Sequence, residues 1–225
     1  MKKTIELTLK EARRIYKDAE PSVKKLLEAN FKELIRPIGV WCLTKDQRAV
    51  KAEKWSDDYE PLGVGVITED ASFMVHLEPQ ASVPLGSTDV KGYDDVVYDT
   101  GSFDSEAATR AIIKAHNGVQ NYMWDDKKYP FKGSPAANYC IKCRGYLPTL
   151  STAKEIAKNI KDINEAILAM GGYVVCGWLW TSTLKKDSNC AFVVLTCNGH
   201  VHYVNRYSHT NARAVSAFHF EDFEF

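Results

Sequence analysis

Gly177-Trp178-Leu179-Trp180-Thr181-Ser182-Thr183 is the stretch whose reading decides this chain. Side chains alternate across a strand, so Trp178 and Trp180 share one face and Leu179 takes the other. Large aromatics two apart build core, and the hydroxyls that follow can satisfy backbone groups of overlying loops. Upstream, Thr152-Ala153-Lys154-Glu155 has the form of a capping box. Ala153, Ile156, Ala157, Ile160, Ile163, Ala166 and Ile167 then recur at helical spacing as far as Gly171-Gly172, which predicts one amphipathic helix of about four turns. Downstream, Cys190 to Cys197 is apolar and β-branched, Asn198-Gly199 is a strong hairpin signal, and His200 to Arg206 returns as a second strand. Helix, tryptophan strand and polar-tipped hairpin form the expected unit.

Composition bounds the rest. The chain has 225 residues, 45% hydrophobic and 26% charged, as in a globular protein with one substantial core and a small appendage. Lysine plus arginine and aspartate plus glutamate number 29 each, so no overall field recruits nucleic acid or an anionic membrane. No stretch approaches the roughly 18 apolar residues of a membrane span, and Met1-Lys2-Lys3-Thr4-Ile5-Glu6 lacks the apolar run of a secretory signal. The cysteines (Cys42, Cys140, Cys143, Cys176, Cys190 and Cys197) are therefore expected to be mostly reduced, buried thiols.

The N-terminal third holds two different periods. Thr8-Leu9-Lys10-Glu11 opens a short helix to about Asp18, and Pro21 starts a second that closes at Arg36-Pro37. Residues 1–36 thus read as a helical hairpin too small to form its own core, either an attachment or oligomerisation segment or a cap on its own domain. From Gly39 the pattern changes to strands at 39–43, 62–67 and 73–77. Residues 78–103 read as a surface loop region, Asp104 or Ser105 caps a helix through Ala115 with Asn117-Gly118 as its stop, and 120–139 reads as an aromatic loop.

The C-terminal pieces carry a family resemblance. Tyr146-Leu147-Pro148-Thr149-Leu150, Asp162-Ile163-Asn164-Glu165-Ala166-Ile167, the W-x-W-T-S-T segment, Ala191-Phe192-Val193-Val194 and Ala212-Arg213-Ala214-Val215-Ser216-Ala217-Phe218 occur in the order of a known pattern. It resembles the C-type-lectin-like domains of phage tail and fibre proteins, of the variable proteins of diversity-generating retroelements, and of a bacterial collagen-like adhesin. The match runs from about Tyr139 to Phe218 and is weaker over 37–138. The resemblance implies an α+β fold over residues 37–225, a C-type-lectin-like binding domain with short antiparallel strands and two helices. In it the W-x-W strand supports the binding loops from beneath.

The candidate binding residues are His200, His202, Tyr203, Asn205, Arg206, Tyr207, Ser208, His209, Thr210 and Asn211. Tyrosine gives rigid amphipathic contact area, and serine, asparagine and histidine give adaptable hydrogen bonds. A solvated hairpin also shows polar residues outward, by period-two alternation alone. Cys140-x-x-Cys143 has no second pair at zinc-like spacing. Glu78-Pro79-Gln80 and Trp124-Asp125-Asp126 resemble the calcium motifs of sugar-binding lectins but are altered or misplaced. No metal or cofactor is therefore expected.

These readings lead to a non-enzymatic phage virion protein, a fibre, tail or head-decoration component made in the host cytoplasm. Its expected partners are a host-surface protein or glycan and other virion proteins, in a homo-oligomer. A purely structural assembly protein and a bacterial surface adhesin are the alternatives. Formylglycine-generating enzymes share a distantly related fold, but no catalytic cysteine pair is recognisable here.

Overall fold

The computed structural model describes residues 9–30, 36–122 and 128–225. Helices α1 (Leu9–Asp18) and α2 (Pro21–Asn30) belong to one compact unit, Met1–Ile38, and Gly39–Phe225 is the other. Tyr16 donates from its hydroxyl to the Glu28 carboxylate, linking the two helices, while Ile15, Val23 and Leu26 stay exposed. The predicted cap at Thr8, residues 31–35 of the second predicted helix, and Trp124-Asp125-Asp126 lie outside the described residues.

In the second unit the strands expected near Gly39, Leu62 and Phe73 form as β1 (Gly39–Thr44), β3 (Pro61–Ile67) and β4 (Ser72–Val75), with the short β2 (Ala49–Val50) between the first two. After them come β5 (Ala81–Val83), α3 (Ser105–Ala115), β6 (Gln120–Tyr122), β7 (Lys128–Lys132) and α4 (Pro135–Lys142). The C-terminal part holds α5 (Leu150–Lys158), α6 (Ile160–Ala169), β8 (Trp178–Leu184), β9 (Cys190–Leu195), β10 (Val201–Asn205), β11 (Thr210–Ala212) and β12 (Val215–Ala217). The fold is α+β.

Among the described residues two five-stranded sheets result, ordered β12-β4-β3-β1-β2 and β10-β9-β8-β11-β5, and β6 and β7 form a two-stranded sheet. All pairs are antiparallel except β11 with β8. The last two strands belong to different sheets, so the chain between Ala212 and Val215 ties the sheets together.

The second sheet lies between two apolar layers. Leu179 and Val194 face a core shared with α5, α6 and the first sheet, including Ile156, Ile163, Ile167, Val64 and Val75. Trp180, Val193 and Ala212 face a second core with α3 and α4, including Ile112, Ala136, Ala137 and Cys140. Trp178 packs at the edge of that second core, so the expected division of the tryptophans from Leu179 holds. Fully burying a side chain the size of Trp180 makes its truncation cost about 3–5 kcal/mol.

Among the described residues of this unit four α-helices rather than two accompany the sheets, and the reasons are local. The single helix expected from Thr152 is broken at Asn159, whose side-chain amide donates to Glu155 O at 2.9 Å while its own N–H is shared between Glu155 O and Ile156 O. Asparagine competes in this way with the helix ladder, and the axis restarts at Ile160. The cap is also one turn earlier than expected: Thr149 Oγ1 accepts from Thr152 N at 3.2 Å. The far end behaves as predicted, since Gly172 N bonds Ile167 O and Gly171 N bonds Leu168 O, the paired bonds of a Schellman stop. Helix α4 stands within the stretch read as loop; Ser134 caps it through Ala137 N, and Pro135 occupies its first turn.

Candidate functional site

The bed under the hairpin is held by the hydroxyls that follow the tryptophans. Ser182 Oγ donates to Leu147 O and Pro148 O, Thr183 Oγ1 accepts from Leu150 N at 3.0 Å, and Thr181 Oγ1 donates to Phe192 O at 2.9 Å. Trp180 Nε1 donates to Val83 O at 2.8 Å. All four side chains are buried, and each polar atom named has a partner, as burial demands.

Above this bed, β10 is an edge strand of the second sheet. The hairpin forms at Asn198-Gly199 as expected, with Gly199 at φ +70 and Leu195 N bonded to His200 O. His202 pairs with Val193 and Tyr203 with Phe192, so the candidate residues divide between the two faces of the strand. On one face Trp178 lies 6.0 Å from His200 and 6.2 Å from His202, ring centre to ring centre. Toward the other, Tyr203 is 43% exposed, meets Phe192 edge-on, and carries the Lys185 ammonium 3.4 Å over its ring. His202 and Tyr203 nonetheless stand 5.2 Å apart, so both faces meet along the strand. This is a continuous exposed patch of imidazole and aromatic rings.

The remaining candidates do not join it. Arg206 is only 2% exposed, which removes it from any outward recognition face. Its Nε donates to Asn189 O, Nη1 to the Tyr93 hydroxyl, and Nη2 to Thr88 O, Val90 O and Asn189 Oδ1. A guanidinium tolerates burial when its donors are met, and here they are met by loop carbonyls that sequence alone does not place. Asn205 and Ser208 close a turn through Ser208 N to Asn205 O, with Tyr207 half-buried and His209 exposed. Thr210 and Asn211 lie in β11, an interior strand, where Asn211 Nδ2 donates to Cys176 O at 3.1 Å.

Sequence reasoning also missed a buried polar chain next to Arg206. Residues 85–97, read as surface loop, place Leu85, Gly86, Ser87, Val90 and Val97 inside. Tyr93 takes a hydrogen bond from Arg206, and its hydroxyl shares a second with His116 Nε2 at 2.6 Å. His116 Nδ1 is buried without a partner among the described residues. Burial, helped by the Arg206 charge, pulls His116 down to about 4. Burial pushes Tyr93 up to about 12 against the opposing pull of Arg206. The one cue in the sequence is Gly86, whose Cβ would stand 2.4 Å from His116 Cε1.

The cysteines divide by burial. Only Cys42 and Cys140 are buried, a correction to the expected burial of most; Cys143 and Cys190 are intermediate, and Cys176 and Cys197 are exposed. Burial raises Cys42 to about 11, Cys140 well above the ordinary thiol, and Cys143 to a lesser degree, whereas a reactive thiol needs the opposite shift. Among the described residues no three histidine, cysteine or acidic side chains group as metal ligands. Glu78-Pro79-Gln80 does structural work instead: Glu78 O accepts from Arg213, Pro79 O from Tyr139, and the Gln80 amide bonds both Cys176 N and O. His76 reaches Ser216 Oγ at 3.1 Å, but Glu78 stands 3.7 Å off its other nitrogen, beyond hydrogen-bond range.

No protein-family model, curated protein or solved structure matches the chain. Among the described residues no helix is long and apolar enough to cross a membrane.

Proposed function

We propose that the protein is a non-enzymatic phage virion component, a fibre, tail or head-decoration subunit, whose C-type-lectin-like domain binds a host-surface protein or glycan or another virion subunit. The observation that carries this reading is the patch of Trp178, His200, His202 and Tyr203 on an edge strand, above a bed whose polar groups are already satisfied. Rings of this kind supply anchors at low entropic cost, and an edge strand offers unpaired backbone groups to a partner. The ordered W-x-W-T-S-T and R-A-V-S-A-F segments favour the lectin-like and virion readings.

The test is a double replacement, His202→Ala with Tyr203→Ala, in the full chain. Adsorption or partner binding should fall by at least about tenfold, the loss of one or two anchors, while thermal unfolding stays unchanged. Unaltered binding by a folded variant would remove this patch as the site. A purely structural assembly role is favoured by the first unit, where Ile15, Val23 and Leu26 are exposed on short helices. Under that role, removing residues 1–36 abolishes incorporation or oligomerisation, and the patch variant incorporates normally.

A further inference from the structure

At the end of the β9–β10 pair opposite Asn198-Gly199, the β8–β9 turn and residues 90–98 enclose a cleft of about 580 Å³. That lies within the roughly 300–1,000 Å³ of small-molecule sites. Arg206 forms part of its lining, and each hydrogen bond it makes goes to a neutral acceptor. Among the described residues no carboxylate lies within ion-pair distance of it. A buried cation so placed keeps a charge that no carboxylate offsets, and it borders the cleft.

Lys91 stands in the same lining, its ammonium held 3.2 Å from Asn189 Oδ1, again a neutral acceptor. Asp187 is the carboxylate that lines the cleft, so two cations face one anion and the balance favours a ligand with a single negative charge. Tyr93 and Tyr98 add aromatic surface, and Ser188 and Asn189 add a hydroxyl and an amide. A dianionic phosphate would exceed the net single positive charge of this lining, and an apolar ligand would leave these polar groups unpaired. Asp187 is in turn an acceptor suited to hydroxyl donors beside the ligand's anion.

We propose that this cleft binds a sugar carrying one carboxylate, with the carboxylate drawn to Lys91 and the field of Arg206, and the hydroxyls bonded by Asp187 and Ser188. The site is separate from the exposed patch and does not depend on the virion reading.

The experiment titrates the full chain with glucuronic acid and with N-acetylneuraminic acid, using ligand-observed NMR. The methyl ester of each sugar and inorganic phosphate serve as comparisons. Binding on the order of millimolar is expected for a single sugar ring, at least about tenfold tighter for one of the acids than for its ester, and weakening with salt. Lys91→Glu, an exposed replacement, should abolish it, and Tyr98→Ala should weaken it severalfold, with unfolding midpoints showing both variants folded. His200→Ala with His202→Ala, which keeps Tyr203 and the Lys185 ammonium over it in place, should leave sugar binding intact, so failure of the patch and failure of the cleft are told apart. Equal affinity for acid and ester, stronger binding of phosphate, undiminished binding by Lys91→Glu, or no binding of either acid at tens of millimolar would each overturn the proposal.

Discussion

The two ends of the β9–β10 hairpin use the same residue types for opposite purposes. Toward the tip, His200, His202 and Tyr203 lie at the surface, the two histidines beside a half-buried Trp178 and Tyr203 next to His202. At the other end, His116, Tyr93 and Arg206 form a hydrogen-bonded chain under the 85–97 loop, with the guanidinium 5.0 Å from the Tyr93 ring centre. Polar aromatic side chains left in water remain available to a partner; once desolvated, they are committed to each other and to the backbone. Exposure at the tip and a committed hydrogen-bond network at the base are thus two outcomes of one composition, decided by what packs over it.

The sharpest way to break this contrast is Arg206→Met. It strips donors from Tyr93, Thr88 O, Val90 O and Asn189, so stability should fall by about 3–5 kcal/mol and the melting temperature by about 10 °C, whereas Tyr203→Ala at the tip should stay within about 0.5 kcal/mol. Chemical denaturation of both variants measures it, and equal losses would erase the distinction.

Acidity probes the same end. His116 is neutral in the fold and titrates near 4, against about 6.5 when unfolded, so the unfolded chain binds the extra proton between those values. Stability is therefore full above about pH 6.5 and is lost as pH falls toward 4, by up to about 3 kcal/mol. Urea midpoints across that window should show the slope in the native chain and a flatter one in His116→Gln.

A pair of glycines sharpens the comparison at the smallest scale. Gly86→Ala would drive a methyl into the His116 ring at the base, where the Tyr93 bond holds that ring, and should cost more than 2 kcal/mol. Gly199→Ala at the tip meets nothing closer than 3.8 Å, so only the strain of φ +70 remains, about 1 kcal/mol. Comparable melting temperatures for the two variants would contradict the packing described for the base.

Much of this was legible before any coordinates. The faces of Trp178, Leu179 and Trp180, the stop at Gly171-Gly172 and the hairpin at Asn198-Gly199 all follow from short-range periodicity and backbone preference, while the backbone partners of Ser182 and Thr183 come from residues 147–150. The kink at Asn159 and the helix from Pro135 were also encoded locally, in an asparagine's competing amide and a Ser-Pro start, but apolar spacing and aromatic content outweighed those cues. For the site, the return strand after Asn198-Gly199 and its polar, aromatic composition were readable, whereas the exposure of both His202 and Tyr203, on opposite faces of β10, was not.

Arg206 and Asn211 were not readable in that way. Their environments come from Thr88, Val90, Tyr93 and Cys176, residues 35 or more positions away in the chain. A charged side chain in a polar ribbon looks solvent-facing until a distant loop brings carbonyls over it. The chain's own residues determined which segments are helix and strand and which face of each is apolar, because those depend on neighbours within a turn or two. Only the tertiary structure decided which polar groups were buried, since that depends on which distant backbone atoms arrive to replace water.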